Sequence, residues 1–592
     1  MLFAWIALMA LSCLSLNPQS WVRGLRRRPK PWLLLQSGRY VIGFVIGIVV
    51  IYFGLIDLSF TGLLSTFGVV VAINLIVTGL LESVQTIGTG KRVRYTFKLA
   101  KVQMATGALL LLVLLGLKLI YPLMVTKELA TVGQIERSDE KIASVAEEAV
   151  RVVPHKSARY KSEIAFGNIE NYSFYELGES NIQKIDDELY WVSPIEYANV
   201  WRWFRADHAP GYIMVSAEDP NAEARLVDGY EMKYVPSAFF HENLERHVRQ
   251  AYGDVVLIGY SFEPDDEGRP YYAYSYARYE HYRAVPKAEG VILVDAETGE
   301  MEQYALGEQP DFVDRAIAPT LALDYAYWYG MYSNGLFNAW FAKEGVHEPT
   351  SKDDMLGVLG PEQEMYWMID HMRPNQESNT MVGFTMVNAR TGEATYYTGM
   401  SGMLNGRGAR EVVDKSFQKE QWSGTQPVLY SVYGHYTWVV PVVDKNGLLR
   451  EIAMVHAETG NISSAPSRKE VFLNYGQMLA NDLGVDDYLP TDVLETKTVS
   501  GKVYRTSIGA NEKYVRVLIE GESTVLEFDI AKHSDAVFIQ LNDELEAEVS
   551  DTEENILRVE SFTNKTMAKE FGAVEDFELN DVSEEEESET EE

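Results

Sequence analysis

Four apolar stretches stand out in the first fifth of the chain, roughly over residues 2–18, 40–60, 62–83 and 103–125. Each is long enough, or nearly so, to cross about 30 Å of hydrocarbon as a helix. The second carries no acidic residue before Asp57, and its Gly43 and Gly47 offer a face on which another helix can pack closely. After residue 125 the pattern changes. Residues 126–156, rich in Glu, Lys and Ala, predict a polar helical stalk. Beyond them β-branched runs alternate with polar turns, and the predicted class is α+β.

Charge orients the anchor. Arg23, Arg26, Arg27, Arg28 and Lys30 lie between the first two stretches, and Lys91, Arg92, Arg94 and Lys98 between the last two. The loop between the second and third carries Asp57 and no basic residue. Basic loops stay in the cytoplasm, which places the N-terminus, the 57–62 turn and everything after residue 125 outside. As a cleaved signal peptide the first stretch lacks a basic residue before its apolar run. Cleavage at the lipoprotein-like Ala10-Leu11-Ser12-Cys13 would leave Arg26, Arg27 and Arg28 outside, against the charge rule.

The whole chain has 52 Lys and Arg against 86 Asp and Glu, yet residues 1–125 hold 12 and 2. The remainder is therefore strongly acidic, which argues against nucleic acid as a partner. The same charge repels an anionic membrane surface, so the array is expected to stand clear of lipid. The one cysteine, Cys13, lies in an apolar segment, so no disulfide can form within the chain. A cysteine-free outer region fits a bacterial envelope protein, in which the sequons at Asn171, Asn461 and Asn564 carry no meaning.

A repeat runs through the array. Gly-Tyr-Ile-Met-Val-Ser-Ala-Glu-Asp (211–219), Gly-Val-Ile-Leu-Val-Asp-Ala-Glu-Thr-Gly-Glu (290–300), Gly-Phe-Thr-Met-Val-Asn-Ala-Arg-Thr-Gly-Glu (383–393) and Glu-Ile-Ala-Met-Val-His-Ala-Glu-Thr-Gly-Asn (451–461) each read as a strand leading into a hairpin. An aromatic strand precedes each, as in Leu189-Tyr-Trp-Val192 and Met365-Tyr-Trp-Met368. A helix is expected after each hairpin, the clearest beginning at the capping box Ser467-Arg-Lys-Glu470. The turn Val-Asp-Ala-Glu-Thr-Gly-Glu followed by a strand resembles the PepSY family, a bacterial extracytoplasmic module of strands and one helix. The resemblance covers about residues 180–480 and implies binding or inhibition more often than catalysis. The first unit departs from it, with Glu218-Asp219-Pro220-Asn221 at the turn.

Five alternating runs between Thr498 and Phe562 predict a small barrel, and with the Leu541-Asn-Asp-Glu-Leu545 turn it resembles an OB-fold. Its 8 basic residues against 15 acidic ones over 493–566 argue against a nucleic-acid role. The predicted organisation is a membrane anchor of about four helices over 1–125 and a stalk over 126–156. Repeat units then occupy 157–255, 256–345, 346–420 and 421–490, the barrel 491–566 and a disordered acidic tail 567–592. The array from about 157 to 563 is expected to be soluble alone.

Catalytic signatures are absent from the pattern. Gly88-Thr-Gly-Lys91 lacks the spacing of a phosphate loop. His241 and His247 are six apart, too far around a helix to share a metal. Gly399-Met-Ser-Gly402 is not a nucleophile elbow. The rows of Tyr and Trp, such as Trp201-Arg-Trp203, Tyr271 to Tyr279 and Tyr325 to Tyr332, read mostly as core. No catalytic residue, cofactor or metal site is assigned. The expected role is a multi-pass cell-membrane protein whose array forms a long extracytoplasmic surface that binds or restrains an envelope protein. The alternative is a cell-envelope hydrolase with its active site in residues 300–450.

Overall fold

The computed structural model describes residues 2–85, 91–145, 147, 150–185, 188–351, 356–360, 364–374, 378–483, 497–508, 514–520, 525–530, 533–551 and 556–567. The acidic tail lies outside them. The chain forms two compact units, Met1–Pro466 and Ser467–Glu592.

In the first unit, three helices are long and apolar enough to cross a membrane: Pro29–Phe53, Phe60–Leu81 and Leu99–Leu119. They belong to α3 (Pro29–Gly47, continued by a π turn Ile48–Phe53), α4 (Phe60–Gln85) and α5 (Lys91–Leu119). The first apolar stretch does not make a fourth. Its helix α1 (Leu2–Ser12) has 11 residues, about 16 Å at 1.5 Å per residue. It stops because its last carbonyls have other donors. Asn74 Nδ2 donates to the carbonyls of Ser12 (2.8 Å) and Leu14 (2.7 Å), and Arg39 Nε to that of Cys13 (2.9 Å). Arg39 also donates to Asn74 and Thr78. α1 lies antiparallel on α3 through the two glycines, since a Cβ on Gly43 would meet Cys13 and Ala10, and one on Gly47 would meet Ile6. α2 (Pro18–Arg27) carries three residues of the first basic loop, Arg23, Arg26 and Arg27.

The turn between α3 and α4 touches the repeats. Leu58 N–H donates to Gly253 carbonyl (2.7 Å), Arg283 pairs with the buried Asp57 (2.7 Å), and Arg246 donates to Tyr52 carbonyl (3.2 Å) while lying over its ring. The 54–59 turn and the repeats are thus on one side of the helices. The repeats do not stand clear of the anchor; the second rests on the helix ends.

The expected stalk is not one continuous helix. After α6 (Tyr121–Met124) and α7 (Thr126–Thr131), which packs on α11 (Pro319–Tyr332), Glu136–Ser138 is a strand pairing in parallel with Ala394–Tyr397. Val145 N–H then donates to Ser431 carbonyl (3.0 Å), and Val150, Val152 and Val153 are buried. Their β-branched side chains suit this inserted path better than a solvated helix.

Four mainly antiparallel sheets follow, in which most neighbouring strands are consecutive in the chain. The turns form as the sequence requires: Gly299, Gly392 and Gly460 have φ of +76°, +78° and +76°. The side chain before the recurring Ala supplies the acceptor that closes the turn. Asp295 Oδ1 takes the N–H groups of Glu297 and Thr298, Asn388 Oδ1 those of Arg390 and Thr391, and Ser216 Oγ those of Glu218 and Asp219. The first unit keeps this geometry without the glycine.

A helix does follow each hairpin, but within the repeats a helix packs on the sheet that comes after it. The Ala carbonyl of each turn accepts from the segment that leads into a helix. Val152 and Val153 donate to Ala217, Lys233 and Tyr234 to Ala296, Ala316 and Ile317 to Ala389, and Leu404 to Ala457. Those segments open α8 (His155–Phe166), α10 (Leu244–Ala251), α11 and α12 (Gly406–Ser416). A short α9 (Val200–Trp203) lies inside the first repeat. Where an aromatic strand carries Trp, its indole N–H seals the same joint. Trp191 donates to Val153 carbonyl (2.9 Å), Trp367 to Ile317 (2.9 Å) and Trp438 to Leu404 (2.8 Å). The second repeat has Tyr272 at that register, opposite Val294 as Trp191 is opposite Val215. The repeats therefore span about 150–232, 233–308, 309–400 and 403–466, each a helix followed by a sheet.

They also close on one another rather than forming a long surface. The first and second share a core containing Val192, Tyr212, Phe262 and Tyr272. The first meets the fourth where His155 N–H donates to Gln426 Oε1 (2.8 Å), and meets the third where Lys184 N–H donates to Asp314 Oδ2 (2.7 Å).

In the second unit, α13 (Arg468–Leu483) starts at its predicted cap, Glu470 N–H donating to Ser467 Oγ at 3.3 Å. Lys497–Ile508, Tyr514–Ile519, Val525–Asp529, Ile556–Asn564 and Glu544–Asp551 pair in a closed circuit with one parallel joint. Val503, Val517, Phe528, Leu545 and Val559 fill it.

Candidate binding cleft where three repeats meet

The closure of the repeats leaves a cleft of about 270 Å³ between the first three. Glu179, Asn181, Trp191 and Pro194 come from the first repeat, Tyr260 and Phe262 from the second, and Arg315, Pro319, Leu323, Gly357 and Trp367 from the third. The joint geometry explains their positions. Trp191 and Trp367 are held by their indole bonds, and Arg315 immediately precedes the pair that docks on Ala389. Arg315 lies over the Trp367 ring at 4.8 Å, and its Nε has no hydrogen-bond partner. Arg151 holds the corresponding place in the first repeat, 5.7 Å over Trp191, and donates to Gln426 carbonyl (3.3 Å).

Behind the cleft is a carboxyl pair. Glu263 is fully buried, accepting from Gln183 Nε2 and from Asp314 N–H (3.1 Å). Burial, and then the neighbouring Glu263, push the Asp314 carboxyl up to about 7. Burial also raises Glu263, opposed by Arg315, and lowers Arg315, opposed by Glu263. The pair holds a proton near neutrality, away from the open space. The cleft itself offers aromatic faces, one guanidinium and the Asn181 amide, whose two ends bond the Phe262 backbone. That set can bind and orient a ligand. Its lining contains no histidine or cysteine.

The residues weighed from sequence are scattered. His241 is in a short 3₁₀ turn, whereas His247 Nε2 bonds Gly299 carbonyl (2.7 Å) and its ring packs tilted against Tyr234. Among the described residues no three His, Cys, Asp or Glu are grouped to hold a metal. Gly399 and Gly402 belong to a turn at φ of +94° and +98°. Most of the Gly88-Thr-Gly-Lys91 segment lies outside the described residues. Tyr272, Tyr274 and Tyr276 are core, as read, but Trp201 is 73% exposed. Sequence reasoning passed over Arg315, Glu263 and Asp314. The one available signal was an Arg shortly before a Pro in both Arg151-Val-Val-Pro154 and Arg315-Ala-Ile-Ala-Pro319.

No family model matches the chain, and no curated protein matches it. Among solved structures, a mutant apocarotenoid oxygenase of Synechocystis is 8% identical over 49% of this chain and 50% of that chain, with a TM-score of 0.13. An exo-1,5-alpha-L-arabinanase from a bovine ruminal metagenomic library is 9% identical over 50% of this chain and 83% of that chain, with a TM-score of 0.15. The matched region spans about half the length of the oxygenase chains. At such TM-scores these likenesses bear on neither fold nor activity.

Proposed function

We propose that the chain is a multi-pass envelope protein whose helix-and-sheet repeats form an extracytoplasmic scaffold that binds or restrains another envelope protein. The observation that carries this reading is the aromatic cleft built jointly by three repeats, with Arg315 stacked at its wall. Trp191 and Trp367 are fixed by the backbones of their own repeats, and Asn181 ties the first repeat to the Phe262 backbone of the second, which favours a preorganised cleft. The Ala-x-Thr-Gly turns support a PepSY-like reading of the repeats, and the closed five-stranded circuit supports an OB-like reading of the second unit. The basic residues on α2 support a cytoplasmic face opposite the repeats.

The test is crosslinking from a photoreactive residue at position 260 of the full chain in intact cells. A discrete protein adduct, lost on Arg315→Ala, is expected. Absence of any adduct, together with hydrolysis of peptidoglycan or peptide by the purified chain unaided, would replace this reading with the hydrolase alternative.

A further inference from the structure

A second cleft lies at the edge of the third repeat's sheet, where the inserted strand Glu136–Ser138 joins it. It encloses about 690 Å³. Three cations line it, Arg137, Lys343 and Arg373, and no aspartate or glutamate does. This composition is unusual for a chain in which acids outnumber bases 86 to 52. Elsewhere several arginines of the repeats pair with carboxylates, as Arg269 does with Asp295 (2.6 Å) and Arg278 with Glu289 (2.9 Å). None of the three cleft cations forms an ion pair with a described residue.

The floor is neutral. His347 stacks flat on Tyr396, with centroids 4.4 Å apart and planes 6° from parallel, and its Nδ1 is 2.9 Å from His371 Nδ1. His371 in turn bonds Thr385 Oγ1 (2.8 Å). Burial, then Arg137, push the His347 imidazole down to about 4, so it carries no charge at neutral pH. Lys343 sits at φ +54° as the left-handed cap of the turn Asn338–Ala342, its N–H donating to Asn338 carbonyl.

We propose that this cleft binds a small polyvalent oxyanion, a compound carrying two or more phosphate or carboxylate groups, through Arg137, Lys343 and Arg373. Three cations with no ion pair among the described residues, around a low-dielectric aromatic floor, focus positive potential in an otherwise negative array. Guanidinium forks suit either oxyanion, and the volume exceeds what one inorganic phosphate would fill. The inference goes beyond the scaffold reading and does not rest on it.

The test is calorimetric titration of the detergent-purified full chain with tripolyphosphate and, separately, with citrate. Saturable binding of at least one is expected, with the preferred probe distinguishing phosphate from carboxylate ligands. Arg137→Gln with Arg373→Gln should weaken that binding at least tenfold, and Lys343→Gln alone should weaken it severalfold. Lys445→Gln, which lies outside the cleft, should leave it unchanged. Thermal melting of each variant guards against unfolding, and Lys343→Gln, at an exposed position, keeps the test sound if the double variant melts early. No saturable binding of either probe overturns the proposal, as does equal weakening by Lys445→Gln.

Discussion

At the scale of single residues, one deviation in the repeat has a structural reason. The third turn carries Arg390 where the second and fourth carry glutamate. Its guanidinium donates to the carbonyls of Gln309 (3.2 Å), Pro310 (3.1 Å), Asp311 (2.8 Å) and Val313 (2.7 Å), gathering the linker between the second and third repeats. Arg390→Glu, which restores the pattern of the other turns, should destabilise the protein by about 3 kcal/mol, because charged hydrogen bonds are replaced by a carboxylate among carbonyl oxygens. Thermal or urea melting checks this.

Asp314 gives a pH dependence with a definite sign. Glu263, Lys184, Arg390 and Arg315 face it, and its folded value of about 7 stands above the ordinary 3.8. Between those values the folded state keeps a proton that the unfolded chain has lost. This contribution is therefore fully present below about pH 4 and is lost as pH rises toward 7. Melting curves of wild type and Asp314→Asn should diverge across that window, with the variant losing less stability on raising the pH.

At the scale of elements, α1 depends on small residues and on donors in its neighbours. Gly43→Leu places a side chain against Cys13 and Ala10 and should lift α1 from α3, exposing Cys13. Faster reaction of Cys13 with a membrane-permeant maleimide than in wild type is the expected readout. The packing face was legible in the Gly43 and Gly47 spacing. The early stop of α1 was not, because it depends on Asn74 and Arg39, which are distant in sequence. The turns were legible for a local reason: positive φ and an Asx acceptor are written in consecutive residues. The phase of the repeat was not, since helix-before-sheet is fixed by backbone bonds such as Ala316 to Ala389. The 126–156 segment misled for the same reason. Its composition favours helix, but its partners in the third and fourth repeats are hundreds of residues away. Arg315, Glu263 and Asp314 escaped notice because two stretches about 50 residues apart bring them together.

At the scale of the whole molecule, the inserted segment makes the repeats depend on what precedes them. A chain starting at residue 157 loses the Glu136–Ser138 strand and the Val152 and Val153 bonds to Ala217. It should melt well below, or aggregate more than, one starting at residue 132, and size-exclusion chromatography with thermal melting compares the two. The Asp57 pair with Arg283 and the Leu58 bond to Gly253 tie the repeats to the α3–α4 turn, so one orientation governs both. The central claim is that this side faces outward, and cysteine labelling in a Cys13→Ser background tests it most directly. With an impermeant thiol reagent on intact cells, Phe60→Cys and Glu300→Cys should both label, whereas Pro29→Cys and Tyr95→Cys should label only after lysis. Labelling of Pro29→Cys in intact cells, with Glu300→Cys protected, would contradict the account.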